Sequence, residues 1–303
     1  YREVRKRAAS EQVQHGHGHA RILERVSELA ERDARNRHVG TESIERKDAQ
    51  REHYLVEYQY RVLPCAMPEE DWESYKAYSK EIVQLQHALE QEDDEKDRLR
   101  LQQRIEGRYR DRAKLLKKND QKVQTLQTIF DEIPPSARVL IYGDDLNHLN
   151  ELGKELDRMG KYYFKYTGEL DAQKERPTIL KEFRQGIRKI LLAVGCLDEG
   201  IDIPACDVAV FISSSTSERQ FIQRRGRVLR IAPGKMTAWI YDYLVYPILP
   251  ASASDEERRM ALSMIDAQYR RINLMVDDAI NGIREHQKLD QFLSQRKLNP
   301  YDF

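Results

Sequence analysis

The pattern of apolar and polar residues divides the chain into four segments. Residues 1–53 are polar and helix-prone with one short apolar stripe, which predicts a partly flexible, helical N-terminal segment. Residues 54–133 begin as a strand and continue at helical spacing. Residues 134–250 alternate short apolar runs with helical stretches, and residues 251–303 return to helical spacing. The pattern therefore predicts an α/β domain flanked by helices on both sides in sequence.

The second segment predicts a strand followed by paired helices. Tyr54–Val62 alternates enough to be a strand, which the following Pro64 would end. Apolar residues recur at helical spacing over 72–89 and again over 101–116, with an acidic run between them. A third, shorter helix stops at Pro134. We interpret this region as an antiparallel helical hairpin plus a connecting helix.

Basic residues are concentrated near the end of this helical region. They are Arg108, Arg110, Arg112, Lys117 and Lys118. Charge runs usually face water, so the pattern favours a solvated helical bundle over a direct grip on nucleic acid.

The third segment carries five short apolar runs separated by helical stretches. The runs are Arg138–Tyr142, Tyr162–Tyr166, Lys189–Val194, Val208–Ile212 and Met236–Tyr243. One of the intervening helices is predicted over 171–184, with Pro177 as an alternative start. Such alternation predicts a mostly parallel sheet with helices on both faces. Ligands of these sheets bind beyond the carboxyl ends of the strands. Those ends are Gly143-Asp144, Thr167-Gly168, Gly195–Asp202 and Ser213–Ser217.

Composition excludes some classes of protein and leaves others open. Lys+Arg and Asp+Glu both number 51, so a basic tail protein is excluded while a local basic patch is not. No apolar run reaches membrane-spanning length, and three cysteines without metal spacing suggest reduced thiols in the cytoplasm. The histidines of 15–19 alternate with glycine, which indicates a loop, and we predict no metal site.

The most informative motif is the arginine-rich run Gln223–Arg230. A capping-box pattern predicts that its helix begins at Glu218. Gln223, Arg227 and Arg230 then share one helical face, where guanidinium groups suit phosphate oxygens. The residues predicted to face the core instead are Phe221, Ile222, Val228 and Leu229. A surface helix whose arginines pair with local acids is the alternative, and it suits a single arginine pair better than this strand-end arrangement.

These motifs resemble those of one helicase superfamily. The pattern Gln223-Arg224-Arg225-Gly226-Arg227-x-x-Arg230 resembles motif VI of superfamily 2 helicases and translocases. Gly200-Ile201-Asp202-Ile203-Pro204 resembles motif V, Arg138–Gly143 motif IV, and Tyr166-Thr167-Gly168 motif IVa. The resemblance covers residues 134–245 and implies the second of two RecA-like lobes.

The resemblance also implies roles at an ATP site. Arg227 and Arg230 would be arginine fingers that reach the terminal phosphates of ATP, and Gln223 would touch the phosphate end or the attacking water. Asp202 would accept a hydrogen bond from the ribose, with Gly200 giving room.

Other residues of the resemblance are implied to contact nucleic acid. Gly143, Thr167, Gly168 and Gly195 would meet the backbone through N–H and hydroxyl donors, which position a strand without reading its sequence. The chain departs from the family at Val194, where many members have threonine, so a hydroxyl contact is lost there.

The family resemblance favours DNA over RNA as the nucleic-acid partner. The segment 54–82, followed by inserted helices, is similar to DNA repair and restriction translocases of the same superfamily. Arg224 has two possible roles in this pattern: a bond to the opposing lobe or a bond to a local acid.

The chain lacks the phosphate-cradling loop that this ATP site needs. Its Gly-Lys pairs are Gly153-Lys154, Gly160-Lys161 and Gly234-Lys235, and none has the Walker A spacing. A first lobe, in cis or in trans, would therefore hold ATP and Mg²⁺, and the isolated chain is predicted to be inactive. Two alternatives stay open: a split or degenerate subunit that binds nucleic acid or a partner without hydrolysis, and a structural adaptor with a vestigial lobe.

Overall fold

A computed structural model of the chain contains one six-stranded sheet. The structure describes residues 55–171, 173–194, 206–213, 225–226, 228–232 and 234–300. The strands are β1 (Glu57–Met67), β2 (Val139–Tyr142), β3 (Phe164–Tyr166), β4 (Ile190–Ala193), β5 (Val208–Val210) and β6 (Thr237–Pro247). The helices are α1 (Glu69–Gln91), α2 (Glu95–Lys117), α3 (Asp120–Gln124), α4 (Leu126–Glu132), α5 (Leu146–Arg158), α6 (Glu175–Arg184), α7 (Asp255–Val276) and α8 (Gly282–Ser294).

The sheet confirms the predicted α/β fold class. Its strand order is β1-β6-β5-β2-β4-β3, and each neighbouring pair is parallel. Helices cover both faces, because the side chains of β2 alternate between two cores. Val139 and Ile141 pack in one core with residues of α4 and α5, whereas Leu140 and Tyr142 pack in the other with residues of α6, α7 and α8. The near-continuous apolar strands are what burial on both faces requires.

The first strand is longer than the sequence pattern predicts. It continues through Pro64 to Met67 and pairs along its whole length with β6. Proline is tolerated there because β1 is an edge strand, and a missing N–H costs nothing on the outer side. The N–H and C=O of Tyr60 point outward, so the N of Pro64, four residues on, points outward as well.

The outer side of β1 is closed by the turn between α7 and α8. Asn281 accepts a hydrogen bond from the Tyr60 N–H through Oδ1 and donates one to the Tyr60 carbonyl through Nδ2, both at 2.9 Å. The Ile280 N–H donates to the Tyr58 carbonyl at 2.9 Å. An unpaired strand edge invites association with other chains, and this turn occupies it.

The predicted hairpin is confirmed as α1 and α2. The ring of Tyr75 stacks on Trp72, and the Arg112 guanidinium lies 5.3 Å from the centre of the Tyr75 ring. Arg108 lies 5.5 Å from the ring centre of Tyr78 and forms ion pairs with carboxylates of both helices. These arginines therefore hold the two helices together, in agreement with the solvated-bundle interpretation.

Two predicted helices differ in detail from the observed ones. The connecting helix is divided at Thr125 into α3 and α4. Helix α6 begins at Glu175, so Pro177 lies in its first turn, where a missing N–H removes no intrahelical bond. The C-terminal segment forms α7, which opens with a capping box between Ser254 and Glu257, and α8. No helix of the described ranges is long and apolar enough to cross a membrane.

Two glycine substitutions are expected to have opposite effects on stability. A Cβ at Gly282 would lie 1.9 Å from the Val276 carbonyl oxygen, so Gly282→Ala should lower the free energy of unfolding by about 1–3 kcal/mol as the α7–α8 turn shifts. Gly107, within α2, has open space around it, and Gly107→Ala should raise the free energy of unfolding by about 0.5–1 kcal/mol. Urea unfolding of both variants measures these changes, and equal effects would contradict the expectation.

Candidate functional site

The carboxyl ends of the parallel strands meet at one edge of the sheet. Gly143 follows β2, Thr167 follows β3, Val194 follows β4, and Ser213 lies three residues beyond β5. The predicted strand-end loops are thus brought together as far as they are described. Gly195, Gly200 and Asp202 lie outside the described residues, so their roles stay predictions.

The loop after β2 is held by hydrogen bonds and by the hairpin. The Gly143 N–H donates to the Ala193 carbonyl at 2.9 Å, and a Cβ on Gly143 would lie 2.6 Å from a methyl group of Leu149. This N–H is already engaged, and a contact between Gly143 and nucleic acid stays a prediction. Packing against α5 gives a structural reason for glycine at this position.

Two lysines at the end of the hairpin neutralise the acids of the same loop. Lys117 Nζ lies 2.8 Å from Asp144 Oδ1, and Lys118 Nζ lies 2.6 Å from Asp145 Oδ2. The hydrogen bond from Lys118 lowers the pKa of Asp145, assisted by the His148 N–H that this carboxylate caps. These lysines therefore bind the hairpin to the lobe.

The loop after β3 buries Thr167 and leaves Gly168 exposed. Thr167 is buried, and its carbonyl accepts a hydrogen bond from the Leu170 N–H at 3.4 Å. The Gly168 carbonyl accepts one from the Arg176 guanidinium at 2.7 Å. The Nε of Arg176 is buried and has no hydrogen-bond partner in the described part of the chain. Contacts from Thr167 and Gly168 to nucleic acid stay predictions.

A buried histidine, which no pattern in the sequence marks, joins the strand ends. His148 Nδ1 accepts a hydrogen bond from the Asp144 N–H at 3.3 Å and lies 3.1 Å from Ser213 Oγ. Burial, with the positive charge of Lys122, lowers the pKa of His148 to about 4. The imidazole is therefore neutral, and accepting at Nδ1 assigns its proton to Nε2. His148 thus links the ends of β2 and β5 as a hydrogen-bond acceptor.

Lys122 is a second buried group at this edge. Its Nζ donates to the Ile212 carbonyl at 2.9 Å and lies 5.4 Å from the centre of the Tyr243 ring. Burial is the main cause that lowers its pKa to about 7, and Arg271 lowers it further. The carboxylates of Asp242 and Asp144 act in the opposite direction.

The structure describes only Arg225, Gly226 and residues 228–230 of the arginine-rich run. Gln223, Arg224 and Arg227 lie outside the described residues, so their predicted roles are untested. The exposed Arg230 lies at the end of the run, where its backbone bridges to Leu55 just before β1. The prediction that Val228 and Leu229 face the core is confirmed, since both are buried.

Arg225 has a structural role that the motif did not predict. Its side chain is 4% exposed and lies 3.4 Å from Asp278 Oδ2, whose side chain is 7% exposed. It also donates to the Leu274 carbonyl at 3.0 Å. Lys235 closes the other end of the segment, where its buried Nζ donates to the carbonyls of Val228 and Arg230. The described residues on either side of position 227 are therefore anchored to the rest of the lobe.

The two cysteines in the described part of the chain are both buried. Burial raises the pKa of the Cys65 thiol to about 11 and that of Cys206 to about 12, so neither is a reactive thiolate. No group of histidine, cysteine and acidic side chains in the described ranges could hold a metal ion. The predicted loop at His15–His19 lies outside those ranges.

Comparison with known proteins identifies the central part of the chain. Residues 121–232 match the family model of the helicase conserved C-terminal domain. UvrABC system protein B of Coxiella burnetii is 28% identical over 133 residues, covering 41% of this chain and 20% of that protein. The DNA 3′-5′ translocase XPB2 of Sulfurisphaera tokodaii is 41% identical over 56 residues, covering 18% of this chain and 13% of that protein. The crystal structure of the C-terminal part of the Fun30 ATPase domain has a TM-score of 0.48 at 12% identity, and the match covers 69% of this chain and 90% of that one.

The class of protein follows from the matched segment. Residues 121–232 run from α3 past the arginine-rich run and include the strand-end loops after β2, β3, β4 and β5. The match to the helicase conserved C-terminal domain, together with these relatives, confirms the resemblance to the C-terminal lobe of a superfamily 2 helicase. The chain spans a fifth or less of the length of these curated relatives.

Proposed function

We propose that the chain supplies the C-terminal motor lobe of an ATP-dependent DNA helicase or translocase. The observation that carries the proposal is the family match over 121–232, which includes both the strand-end loops and the run Gln223–Arg230. A helicase lobe that keeps this run has the groups needed to stabilise phosphoryl transfer, because guanidinium forks match phosphate oxygens.

The proposed ATP site is shared with a first lobe. ATP and Mg²⁺ held by that lobe would supply the phosphoanhydride that is cleaved. Arg227 and Arg230 would bind the terminal phosphate oxygens from this side, and Gln223 would orient the attacking water. Asp202 would accept a hydrogen bond from the ribose hydroxyl, with Gly200 leaving room for the sugar. The exposed position of Arg230 supports this arrangement, since its charge is at the surface where a second lobe can reach it.

The proposed nucleic-acid contacts lie at the carboxyl edge of the sheet. Gly143, Thr167, Gly168 and Gly195 would face the backbone of the bound strand. Contacts of this type fix the position of the strand and carry no sequence preference. DNA is the proposed substrate, and the similarity to XPB2, a DNA 3′-5′ translocase, supports this choice.

ATP hydrolysis by the chain alone and by the two-lobe protein tests the proposal. The purified chain should hydrolyse ATP negligibly with or without nucleic acid, because no Walker A loop occurs in its 303 residues. The two-lobe protein should show ATPase activity that single-stranded or duplex DNA stimulates more than RNA of the same sequence does. Robust DNA-stimulated hydrolysis by the chain alone would overturn the proposal. A two-lobe protein that binds DNA without hydrolysis would support the non-hydrolysing subunit instead.

A further inference from the structure

A cavity of about 370 Å³ lies at the base of the helical hairpin. It is enclosed by the end of α2, by α3, by β6 and by α7. Its polar lining is formed chiefly by Lys117, Lys122, Gln268, Arg270 and Arg271. The volume is that of a small-molecule site, and no described residue of the helicase motifs lines it.

Positive charge dominates the lining of this cavity. Three of its four cations have a carboxylate partner: Lys117 with Asp144 at 2.8 Å, Arg270 with Asp266 at 2.7 Å, and Arg271 with Asp242 at 3.1 Å. Asp266 is the one carboxylate that lines the cavity together with them. The fourth cation forms no ion pair in the described part of the chain, although the carboxylates of Asp242 and Asp144 lie near enough to act on it.

Lys122 is that fourth cation. It is 4% exposed, and within the described residues its ammonium makes one hydrogen bond, to the Ile212 carbonyl, and no ion pair. An ammonium has three donors, so two of them are not used by side chains or carbonyls of the described chain. A buried ammonium without an ion-pair partner is costly, and an anion in the adjoining cavity would lower that cost.

The apolar part of the lining indicates the shape of the ligand. Ala113, Leu116 and Ala267 line the cavity, and Tyr243 contributes an aromatic side chain. A ligand with a phosphate group and a sugar or base attached would fill both parts, whereas a bare anion would use only the basic one.

We propose that this cavity binds a phosphate group, carried by a nucleotide or by the backbone of a nucleic acid, with Lys122 and Arg271 as its principal ligands. No described residue proposed for the ATP site lines this cavity, so the proposal does not depend on motor activity of the lobe. Lys122 also contacts the end of β5 through Ile212, so an occupied cavity would brace the strand-end edge from the side of the hairpin.

Introducing a charge at one exposed position on the cavity wall tests the proposal with little risk to the fold. Ala267 is an exposed residue of α7 that lines the cavity, and both glutamate and lysine are good helix formers. Ala267→Lys should strengthen and Ala267→Glu should weaken binding of thymidine 5′-monophosphate, each by several-fold. Isothermal titration calorimetry of the 303-residue chain measures both, with inorganic phosphate and a twelve-nucleotide oligo-dT as further probes.

Variants of the cations complete the test. Lys122→Met, which keeps the side-chain length, should weaken binding about tenfold or more, and Arg270→Gln should weaken it less. Arg158→Gln is the matched control, because Arg158 is 72% exposed and ion-paired within its own helix, much like Arg270 at 70%. Thermal unfolding identifies any variant that fails to fold. If Lys122→Met fails to fold, the two Ala267 variants still test whether the cavity binds phosphate.

The three probes distinguish the sources of the phosphate. Binding of inorganic phosphate or the mononucleotide indicates a free ligand, and binding of oligo-dT alone indicates a nucleic-acid backbone. Either result supports the proposal if it responds to the Ala267 variants. Equal affinities for Ala267→Lys and Ala267→Glu, or no binding of any probe, would overturn it.

Discussion

Replacement of Arg227 by alanine is expected to lower the ATP turnover of the two-lobe protein by about 10³–10⁵-fold. An arginine finger acts on the charge that develops as the γ-phosphoryl group is transferred, so its loss raises the barrier to chemistry and leaves substrate binding largely intact. Arg230→Ala should act on the same step. The kcat for ATP at saturating DNA, together with the dissociation constant for DNA, separates the two effects.

The controls decide what a loss of turnover means. Arg158→Ala removes an exposed arginine on α5, far in sequence from the motif, and should change neither quantity. DNA affinity that falls in parallel with turnover in Arg227→Ala would indicate a role in nucleic-acid binding. Turnover that equals the unsubstituted protein would reject Arg227 as a finger and remove the main support for the motor proposal.

Loss of the buried pair between Arg225 and Asp278 is expected to have the largest effect on stability. Asp278→Asn leaves the Arg225 charge buried without a counter-ion, and breaking a buried pair in this way costs about 3–5 kcal/mol. Arg225→Met, which also removes the bond to the Leu274 carbonyl, should cost a similar amount. Urea unfolding monitored by circular dichroism gives both free energies.

A double variant shows whether the cost comes from the unpaired charge. Arg225→Met combined with Asp278→Leu removes both charges, and it should recover much of the stability lost in either single variant. Arg158→Ala again serves as the surface comparison and should leave the unfolding midpoint unchanged. Single variants that unfold at the midpoint of the unsubstituted chain would show that the pair contributes nothing to stability.

Much of the lobe could be predicted because its signals are local. The apolar runs at β2, β4 and β5 are short and bounded by turn residues, and α5 and α7 have clear helical periods. The place of β1 in the sheet could not be predicted, because its partner β6 lies far along the chain and nothing in either strand specifies the other. The continuation of β1 through Pro64 could not be predicted either, because proline is tolerated in a sheet mainly at an edge strand and the edge position of β1 was not known.

The candidate site was predicted unevenly for a similar reason. The arginine-rich run is visible in the sequence, but because its four arginines have identical side chains, the run alone does not show that Arg225 is buried. Helical spacing held the missing signal, because Arg225 lies three and four residues before Val228 and Leu229, on the same buried face. No such pattern marks His148 or Lys122, whose burial arises where helices and loops from separate segments meet.

The attachment of the hairpin gives the lobe a rigid lever arm. The chain leaves β1 directly into α1 and returns from α2 through lysines bound to Asp144 and Asp145, while Lys76 of α1 pairs with Glu257 of α7 at 2.6 Å. With 23 residues in α1, the arm is about 35 Å long, so a rotation of the lobe by about 10° would carry its tip roughly 6 Å. A small turn at the base of this arm thus becomes a displacement of several ångströms at its far end.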